Sequence, residues 1–160
     1  MYIVIIGAGQ VGSFIARNLC IEHDIIVIER DKETAEKLRE SHDVIVLEGN
    51  GEDISVLKEA QIDKADILLA VSGDDRTNLM ASFYSASLGI QKIIVRIRNP
   101  NYLGYPKLLK DTDISVVHPW AIISEKITSL IGSPFAWKTE TFAMGKIKMF
   151  KLKVEDNTPI

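Results

Sequence analysis

The sequence predicts an α/β protein built on a doubly wound, parallel six-stranded sheet. Short, almost entirely apolar runs alternate with helical patterns through the first 118 residues. Runs that are apolar at every position are expected where helices cover both faces of a sheet. The first run also passes directly into a glycine-spaced turn and a helix, an arrangement typical of the Rossmann-like version of this fold.

The first three strand–helix units are predicted from apolar runs that end in polar residues or glycine. Asp31 has the side chain and the position of a helix N-cap. The predicted elements are a strand over Tyr2–Ile6, a helix over about Gln10–Cys20, a strand over Asp24–Ile28, a helix from Asp31 to about Glu40, a strand over Asp43–Leu47 and a short helix over about Asp53–Ala60.

Three further strands complete the predicted sheet. Gly89 supplies the stop signal for the long helix between the fourth and fifth strands. The predicted elements are a strand over Ala65–Val71, a helix over about Asp75–Leu88, a strand over Lys92–Ile97, a helix near Tyr102–Lys110 and a strand over Ile114–Val117.

The pattern changes after the sixth strand. Pro119 suits the first turn of a helix, and the Gly132-Ser-Pro134 stretch ends that helix. We therefore predict a nucleotide-binding domain over 1–131, a linker over 132–145, and the first strand of an incomplete second domain over 146–160. The predicted helix carries an apolar stripe that could pack on its own sheet. Because the sheet already has enough helices to cover both faces, the stripe would otherwise form a larger apolar patch than monomers usually expose, which favours a homo-oligomer. This stripe consists of Trp120, Ile123, Ile127, Leu130 and Ile131.

The turn after the first strand predicts a nucleotide site. In the segment Gly7-Ala8-Gly9-Gln10-Val11-Gly12, the first glycine permits the tight turn, the second permits close approach of a pyrophosphate, and the third permits close packing of helix on strand. The N–H groups and dipole of the following helix favour phosphate. All six residues are therefore candidate cofactor-binding residues.

An acidic residue follows the second strand. The Glu29 carboxylate can accept hydrogen bonds from ribose hydroxyls and would repel a 2′-phosphate, which favours NAD(H) or another adenosine nucleotide over NADP(H). The adjacent Arg30 weakens this preference slightly. Two more loops, beginning at Gly49 and Ser72, lie at carboxyl ends of strands, where open parallel sheets bind ligands.

Arg96 interrupts the apolar fifth strand. Burying a guanidinium without a partner is costly, so we expect this side chain to meet an anion. The sequence leaves open whether that anion is a phosphate or an internal carboxylate.

The composition excludes several classes of protein. A net charge of −3 gives no general basic excess for nucleic acid, so no nucleic-acid partner is expected. The lone Cys20 excludes a disulfide framework and fits a reducing cytoplasm. No apolar run approaches the ~20 residues that span a bilayer, and no signal peptide is evident. We expect no membrane domain to precede Met1.

Several stretches together resemble the RCK-N family, also called KTN or TrkA-N, over residues 1 to about 131. They are GAGQVG at 7–12, the acid at Glu29, the long stretch GNGEDISVLKEAQIDKADILLAVSGDDRTNLMAS at 49–82, and KIIVRIRNP at 92–100. The tail from Met144 resembles the entry into the RCK-C domain that follows in this family. The resemblance implies a cytosolic nucleotide-sensing subunit of a Trk/Ktr-type potassium uptake system, peripheral on the inner face of the membrane.

The resemblance also implies roles for individual residues. Gly7–Gly12 would hold the pyrophosphate and Glu29 the ribose, Asn50 and Gly51 would lie by the adenine, and Arg96 would meet phosphate. Ser72 and Gly73 would flank the second half of the ligand, which in this family is NAD(H), ATP or ADP. One departure is Asn50, where the family often has Asp. The family also implies a dimer, assembled within a ring, whose conformation controls a membrane potassium transporter subunit.

The alternative function is that of a small NAD-dependent oxidoreductase. Such an enzyme needs a group that transfers a proton during hydride transfer. His118 is the histidine best placed for this, yet no accompanying Asp or Lys pattern is evident, and Tyr84 and Tyr102 lack a lysine four residues on. The sequence therefore favours a regulator without catalytic residues and without a metal site.

Overall fold

The structure, a computed structural model, describes residues 1–104, 114–131, 136–142 and 147–152, with side chains for 1–102 and 114–131. The chain divides into two compact units, Met1–His118 and Pro119–Ile160. The first unit contains the sheet and the helices that cover it.

The first unit is a six-stranded parallel sheet with the strand order β3-β2-β1-β4-β5-β6. The predicted doubly wound, Rossmann-like fold is confirmed. Its strands are β1 Tyr2–Ile6, β2 Asp24–Glu29, β3 Ile45–Glu48, β4 Ile67–Ala70, β5 Lys92–Arg96 and β6 Ile114–Val117. Its helices are α1 Gln10–Leu19, α2 Lys32–Ser41, α3 Ile54–Glu59 and α4 Asp75–Ser87, with 3-10 turns at Ile62–Lys64 and Pro100–Gly104.

Strand β1 lies at the point where the strand order reverses. In the register of the sheet, Ile6 lies beside Ile28 of β2 and beside Ala70 of β4. The loops that follow these three strands therefore leave from one edge. In open parallel sheets this edge, at such a switch point, is where ligands bind.

The core consists of one apolar layer on each face of the sheet. Ile3 and Ile5 belong to the layer that includes Ala16 of α1, whereas Val4 and Ile6 belong to the opposite layer. Successive strand residues point to opposite faces. Because both faces are covered, the consecutive residues Ile3 to Ile6 of β1 are all buried, which explains the uninterrupted apolar run.

Helix α4 packs through small and polar side chains. Asn78, Ser82 and Ser85 are fully buried. The Ser82 hydroxyl donates to the Asn78 carbonyl at 2.7 Å, and the Ser85 hydroxyl donates to the Ala81 carbonyl at 2.8 Å. Since these hydroxyls are satisfied within the helix, the polar face is buried without leaving them unpaired.

The second unit contains helix α5, Pro119–Ile131, and an antiparallel pair of strands, β7 Ala136–Phe142 and β8 Ile147–Leu152. No residue of α5 is buried, and its apolar side chains are exposed, Trp120 by 60% and Ile131 by 75%. In the described part of the chain, no helix combines the length and apolar character needed to cross a membrane.

The observed elements differ from the predicted ones chiefly as follows, and β4 is also shorter than predicted, Ile67–Ala70 instead of Ala65–Val71. β3 begins at Ile45 rather than Asp43. The helix predicted near Tyr102–Lys110 begins as the 3-10 turn Pro100–Gly104, and its remainder lies outside the described residues. β7 falls within the segment predicted as a linker, because alternation of Trp and Thr with charged residues gives only a weak strand signal. The predicted boundaries of the two domains remain predictions.

The close approach of Gly12 to the backbone of Gly7 predicts the effect of one substitution. A Cβ atom added at Gly12 would lie 1.8 Å from the carbonyl oxygen of Gly7, a rigid backbone atom. We expect Gly12→Ala to lower the free energy of unfolding by roughly 3 kcal/mol or more, above the usual range for overpacking, measured by urea denaturation. Gly9→Ala is the control, because its added Cβ meets no atom within 4 Å. Equal stability of both variants would contradict the expectation.

Candidate functional site

A cleft of about 270 Å³ lies at the carboxyl ends of β1 to β4. It is bordered by the turn after each of these strands. The residues that line it are Ile6, Gly7, Gly9, Ile28, Glu29, Arg30, Asp31, Thr34, Gly49, Asn50, Gly51, Ser72, Gly73, Asp74 and Thr77.

The turn after β1 is shaped by its first glycine. Gly7 has a φ of +97°, a value that residues with a side chain rarely adopt. Its N–H donates to the Ile28 carbonyl at 2.8 Å. A Cβ atom at this position would lie 2.5 Å from the Cα of Ser72. Glycine is therefore required at position 7 both for the turn and for the contact with the loop after β4.

The N-terminus of α1 opens into the cleft without a side-chain cap. Its N-cap is Gly9, and no acidic residue lies in its first turn. The neighbouring α2 and α4 are each capped by an aspartate: Asp31 accepts from the Thr34 N–H, and Asp74 accepts from the Arg76 N–H, both at 2.8 Å. The first N–H groups of a helix have no partner within it, and its positive end favours an anion. The end of α1 is therefore suited to bind phosphate.

Gly9 borders open space. Its φ of −64° is accessible to any residue, and an added Cβ would meet nothing within 4 Å. Neither backbone conformation nor packing within the described chain requires glycine here. The same absence of neighbours holds at Gly73, on the opposite side of the turn after β1. Both positions leave the backbone accessible from the cleft.

Glu29 is fixed in place by two backbone donors. Its Oε2 accepts from the Ala8 N–H at 2.6 Å, and its Oε1 accepts from the Asp31 N–H at 2.9 Å. The carboxylate thus joins the end of β2 to the glycine turn and to the start of α2. Each oxygen retains lone pairs that can accept a further hydrogen bond, such as one from a ribose hydroxyl.

The loop after β3 is held by side chains. Asn50 Nδ2 donates to Glu52 Oε1 at 2.9 Å, and Thr77 Oγ1 donates to Glu52 Oε2 at 3.3 Å. A Cβ atom at Gly51 would lie 2.3 Å from Cγ2 of Ile6. Glycine at position 51 is therefore explained by contact with β1.

Carboxylates predominate at the rim of the cleft. Hydrogen bonds from the Arg76 side chain and backbone lower the pKa of Asp74 to about 2, and hydrogen bonds from Thr34 lower the pKa of Asp31. Both groups are therefore ionised at neutral pH. Glu29 is a third acidic residue of the cleft. Arg30 is the one cation among the described residues that line it.

Arg96 lies at the end of β5 and contacts the backbone of the loop after β4. Its Nη2 donates to the Ser72 carbonyl at 2.8 Å, while its buried Nε has no partner. Burial lowers the pKa of Arg96, and the nearby charge of Arg98 lowers it further. The guanidinium borders an apolar groove that also contains Val11, and it is not among the residues that line the cleft. Its contact with phosphate remains a prediction.

The structure brings most of the predicted site residues together. Those that line the cleft are Gly7, Gly9, Glu29, Arg30, Asn50, Gly51, Ser72 and Gly73. The other residues of the glycine segment are not among those that line the cleft. Ala8 lies in the turn itself, and Gln10, Val11 and Gly12 lie in the first turn of α1. Their role in binding remains a prediction. Thr34 and Thr77 also line the cleft and were not predicted to do so. Asp31 was predicted only as a helix cap, and Asp74 belongs to the predicted ligand loop that begins at Ser72.

Two of the three histidines have hydrogen-bond partners, and neither partner is a carboxylate that would orient a catalytic imidazole. His118 Nδ1 lies 2.8 Å from the Ile97 carbonyl, and His42 Nδ1 lies 2.6 Å from the Ser41 hydroxyl. His23 Nδ1 is buried without a partner. Within the described ranges, no group of three or more His, Cys, Asp or Glu side chains is arranged to hold a metal ion.

Comparison with known proteins gives a family match and a fold match. The family model of the TrkA-N domain matches residues 3–119. The chain is 35% identical over 161 residues to a Trk system potassium uptake protein TrkA homolog of Archaeoglobus fulgidus, covering 99% of this chain and 36% of that protein. The chain thus spans about a third of the length of this relative.

Solved structures with low sequence identity share the fold. The TrkA-N domain of the inner membrane protein ybaL from Escherichia coli matches with a TM-score of 0.71 at 20% identity, covering 81% of this chain and 96% of that one. The Shewanella denitrificans Kef CTD in its AMP-bound form matches with a TM-score of 0.63 at 15% identity, covering 82% and 80%.

The bonds of Glu29 predict that its replacement affects stability as well as binding. In Glu29→Gln, an NH₂ group replaces one side-chain oxygen. This group faces a backbone N–H and cannot accept its hydrogen bond. We expect the ligand-free variant to lose about 1–3 kcal/mol of unfolding free energy, measured by urea denaturation. Glu48→Gln is the matched control, because Glu48 is the exposed register partner of Glu29 at the end of β3. An unchanged stability of Glu29→Gln would show that the two bonds contribute little.

Proposed function

The chain belongs to the TrkA-N domain family, and from this premise we propose that it is the nucleotide-sensing part of a regulatory subunit of a potassium uptake system. The TrkA-N domain is a Rossmann fold of the nucleotide-binding kind. The proposal has three parts: a nucleotide binds in the cleft, the bound nucleotide acts as a signal, and a membrane transporter receives it.

The observation that carries the first part is the uncapped N-terminus of α1 beside the open space at Gly9. A pyrophosphate at this position would accept hydrogen bonds from N–H groups of the first helical turn and lie at the positive end of the helix dipole. A side chain at position 9 would occupy the space that such a group needs. The likeness to the AMP-bound Kef CTD supports the same ligand class.

NAD(H) and ATP or ADP are the proposed ligands. Glu29 would accept hydrogen bonds from the adenosine ribose, Asn50 and Gly51 would lie by the adenine, and Ser72 and Gly73 would flank the second half of the ligand. The carboxylates at the rim oppose the extra charge of ATP unless a cation accompanies it. This favours nucleotides of lower charge.

A regulatory role is favoured over the oxidoreductase alternative. The same fold serves many dehydrogenases, so function must be inferred from the site. The partner of His118 is a backbone carbonyl rather than a carboxylate that would orient it as an acid or base. The matched relative is named as a potassium uptake protein. We therefore propose that the nucleotide is a signal.

The transporter partner is proposed from the family. The name of the Archaeoglobus fulgidus relative connects it with potassium uptake, and this chain would occupy the cytoplasmic side of such a system, peripheral to the membrane. Nucleotides with different affinities for two conformations would shift their populations and so bias the membrane subunit.

The substitution Gly9→Ala tests nucleotide binding. We expect ligand-free stability to be unchanged within about 1 kcal/mol, because the added methyl group meets no protein atom. The affinities for NADH, NAD, ATP and ADP, measured by calorimetric titration, should each fall at least ten-fold, because the methyl group would occupy the phosphate position. Full affinity in Gly9→Ala, or no binding by the wild-type chain, would overturn the proposal. Substrate-dependent oxidation of NADH would favour the enzyme alternative.

The exposed apolar side chains of α5 predict self-association. A helix with this much exposed apolar surface is rarely left uncovered in a monomer. We expect a dimer or larger oligomer at micromolar concentration by light scattering, and a smaller mass for Ile127→Asp, because Ile127 is 52% exposed in the middle of the helix. Ser129→Asp adds the same charge to the same helix and is the control. A monomeric wild-type chain would contradict this prediction.

A further inference from the structure

We infer that Asn78 is a positioning residue of the cleft: its carboxamide holds Ser72 and Gly73 where they meet the second half of the nucleotide. This inference rests on the proposed function and adds a residue outside the cleft to it. Asn78 is fully buried on α4 and is absent from the cleft lining.

The Asn78 side chain forms a two-bond pair with the backbone of Ser72. Its Oδ1 accepts from the Ser72 N–H at 2.9 Å, and its Nδ2 donates to the Ser72 carbonyl at 3.1 Å. β4 ends at Ala70, and its register with β5 ends at the pair of Ala70 and Val95. The carboxamide thus pairs with the backbone of Ser72 beyond the end of the strand ladder.

A third bond connects this pair to the next strand. Asn78 Nδ2 also donates to the Arg96 carbonyl at 3.0 Å, so one amide group holds the carboxyl ends of β4 and β5 together. The Arg96 guanidinium donates to the same Ser72 carbonyl at 2.8 Å. Ser72 is therefore fixed from α4 and from β5, and its position depends on both.

Asparagine is the side chain that fits these three bonds. The site requires one acceptor and two donors on a short, planar group. Aspartate would turn an oxygen toward two carbonyls, and alanine would leave the Ser72 N–H without its side-chain acceptor. Each change would remove the hold of α4 on Ser72 and leave the loop attached only through Arg96 and Arg98, while the bonds of Glu29 to Ala8 and Asp31 on the other side of the cleft would be retained.

Because Glu29 and Ser72 lie on different sides of the cleft, a change at Asn78 should lower the affinity for one nucleotide and not for the other. AMP contains only the adenosine half, which the proposed function places on the Glu29 side, whereas NADH extends across β1 to Ser72 and Gly73. A variant of Asn78 should therefore bind AMP as the wild type does and bind NADH less tightly. A residue with a merely structural role would affect both ligands alike, or neither.

The experiment compares the affinities for AMP and NADH by calorimetry in the wild-type chain, Asn78→Ala and Asn78→Asp. We expect NADH to bind roughly ten-fold or more weakly to each variant, and AMP to remain within about two-fold of wild type. Ser85→Ala is the matched control. It removes another fully buried hydrogen bond of α4, one that involves neither Asn78 nor Ser72, and should leave both affinities unchanged.

A second measurement does not depend on ligand. In the ligand-free Asn78→Ala variant, hydrogen exchange at the amide of Ser72, which loses its side-chain acceptor, should be faster than in the wild type, while exchange at Ala8 should be unchanged. Equal weakening of AMP and NADH, unchanged NADH affinity, or unaltered exchange at Ser72 would overturn the inference. A wild-type chain that binds neither nucleotide would overturn the proposed function, and this inference with it.

Discussion

The contact between the start of α1 and the turn after β1 is the constraint on which the rest of the structure depends. A Cβ atom added at Gly12 would lie 1.8 Å from the carbonyl oxygen of Gly7. The backbone of the helix is therefore in direct contact with the backbone of the turn. This approach aims the first N–H groups of α1 at the cleft and places α1 on the central strand. A wider separation would both loosen the core beside Ala16 and turn the helix end away from the ligand position.

Around this contact, the carboxyl edge of the sheet is held by side chains bonded to backbone. Glu29 joins β2 to the glycine turn, and Asn78 joins β4 to β5. Asp75 accepts from the N–H groups of Arg98 and Asn99, at 3.0 and 2.8 Å, and so fixes the loop after β5 to the start of α4. These bonds fix the backbone of the edge that would bind the ligand, which lowers the conformational cost of binding.

The sequence predicted the features that leave a periodic or spaced signal. Apolar runs located all six strands of the sheet, and glycine spacing located the turn at Gly7. Asn78 lies in the stretch by which the sequence resembles the RCK-N family, but its bonds to Ser72 were not predictable, because a polar residue in a helical pattern looks the same whether it faces solvent or the end of a strand. The bond of Arg96 to the Ser72 carbonyl was not predicted either, since backbone acceptors leave no mark in a sequence, and its contact with phosphate remains a prediction.

The strand order also constrains how the chain folds. The N–H of Tyr2 donates to Asp66 across 64 residues, so β1 acquires its β4 neighbour only after the third and fourth strands are synthesised. Contacts of such long sequence separation slow folding, and unpaired apolar strands are prone to aggregate. During synthesis, β1 to β3 would emerge from the ribosome with β1 still an edge strand. The assembly of the cleft is therefore a late event, which requires the loop after β4 to close onto Gly7.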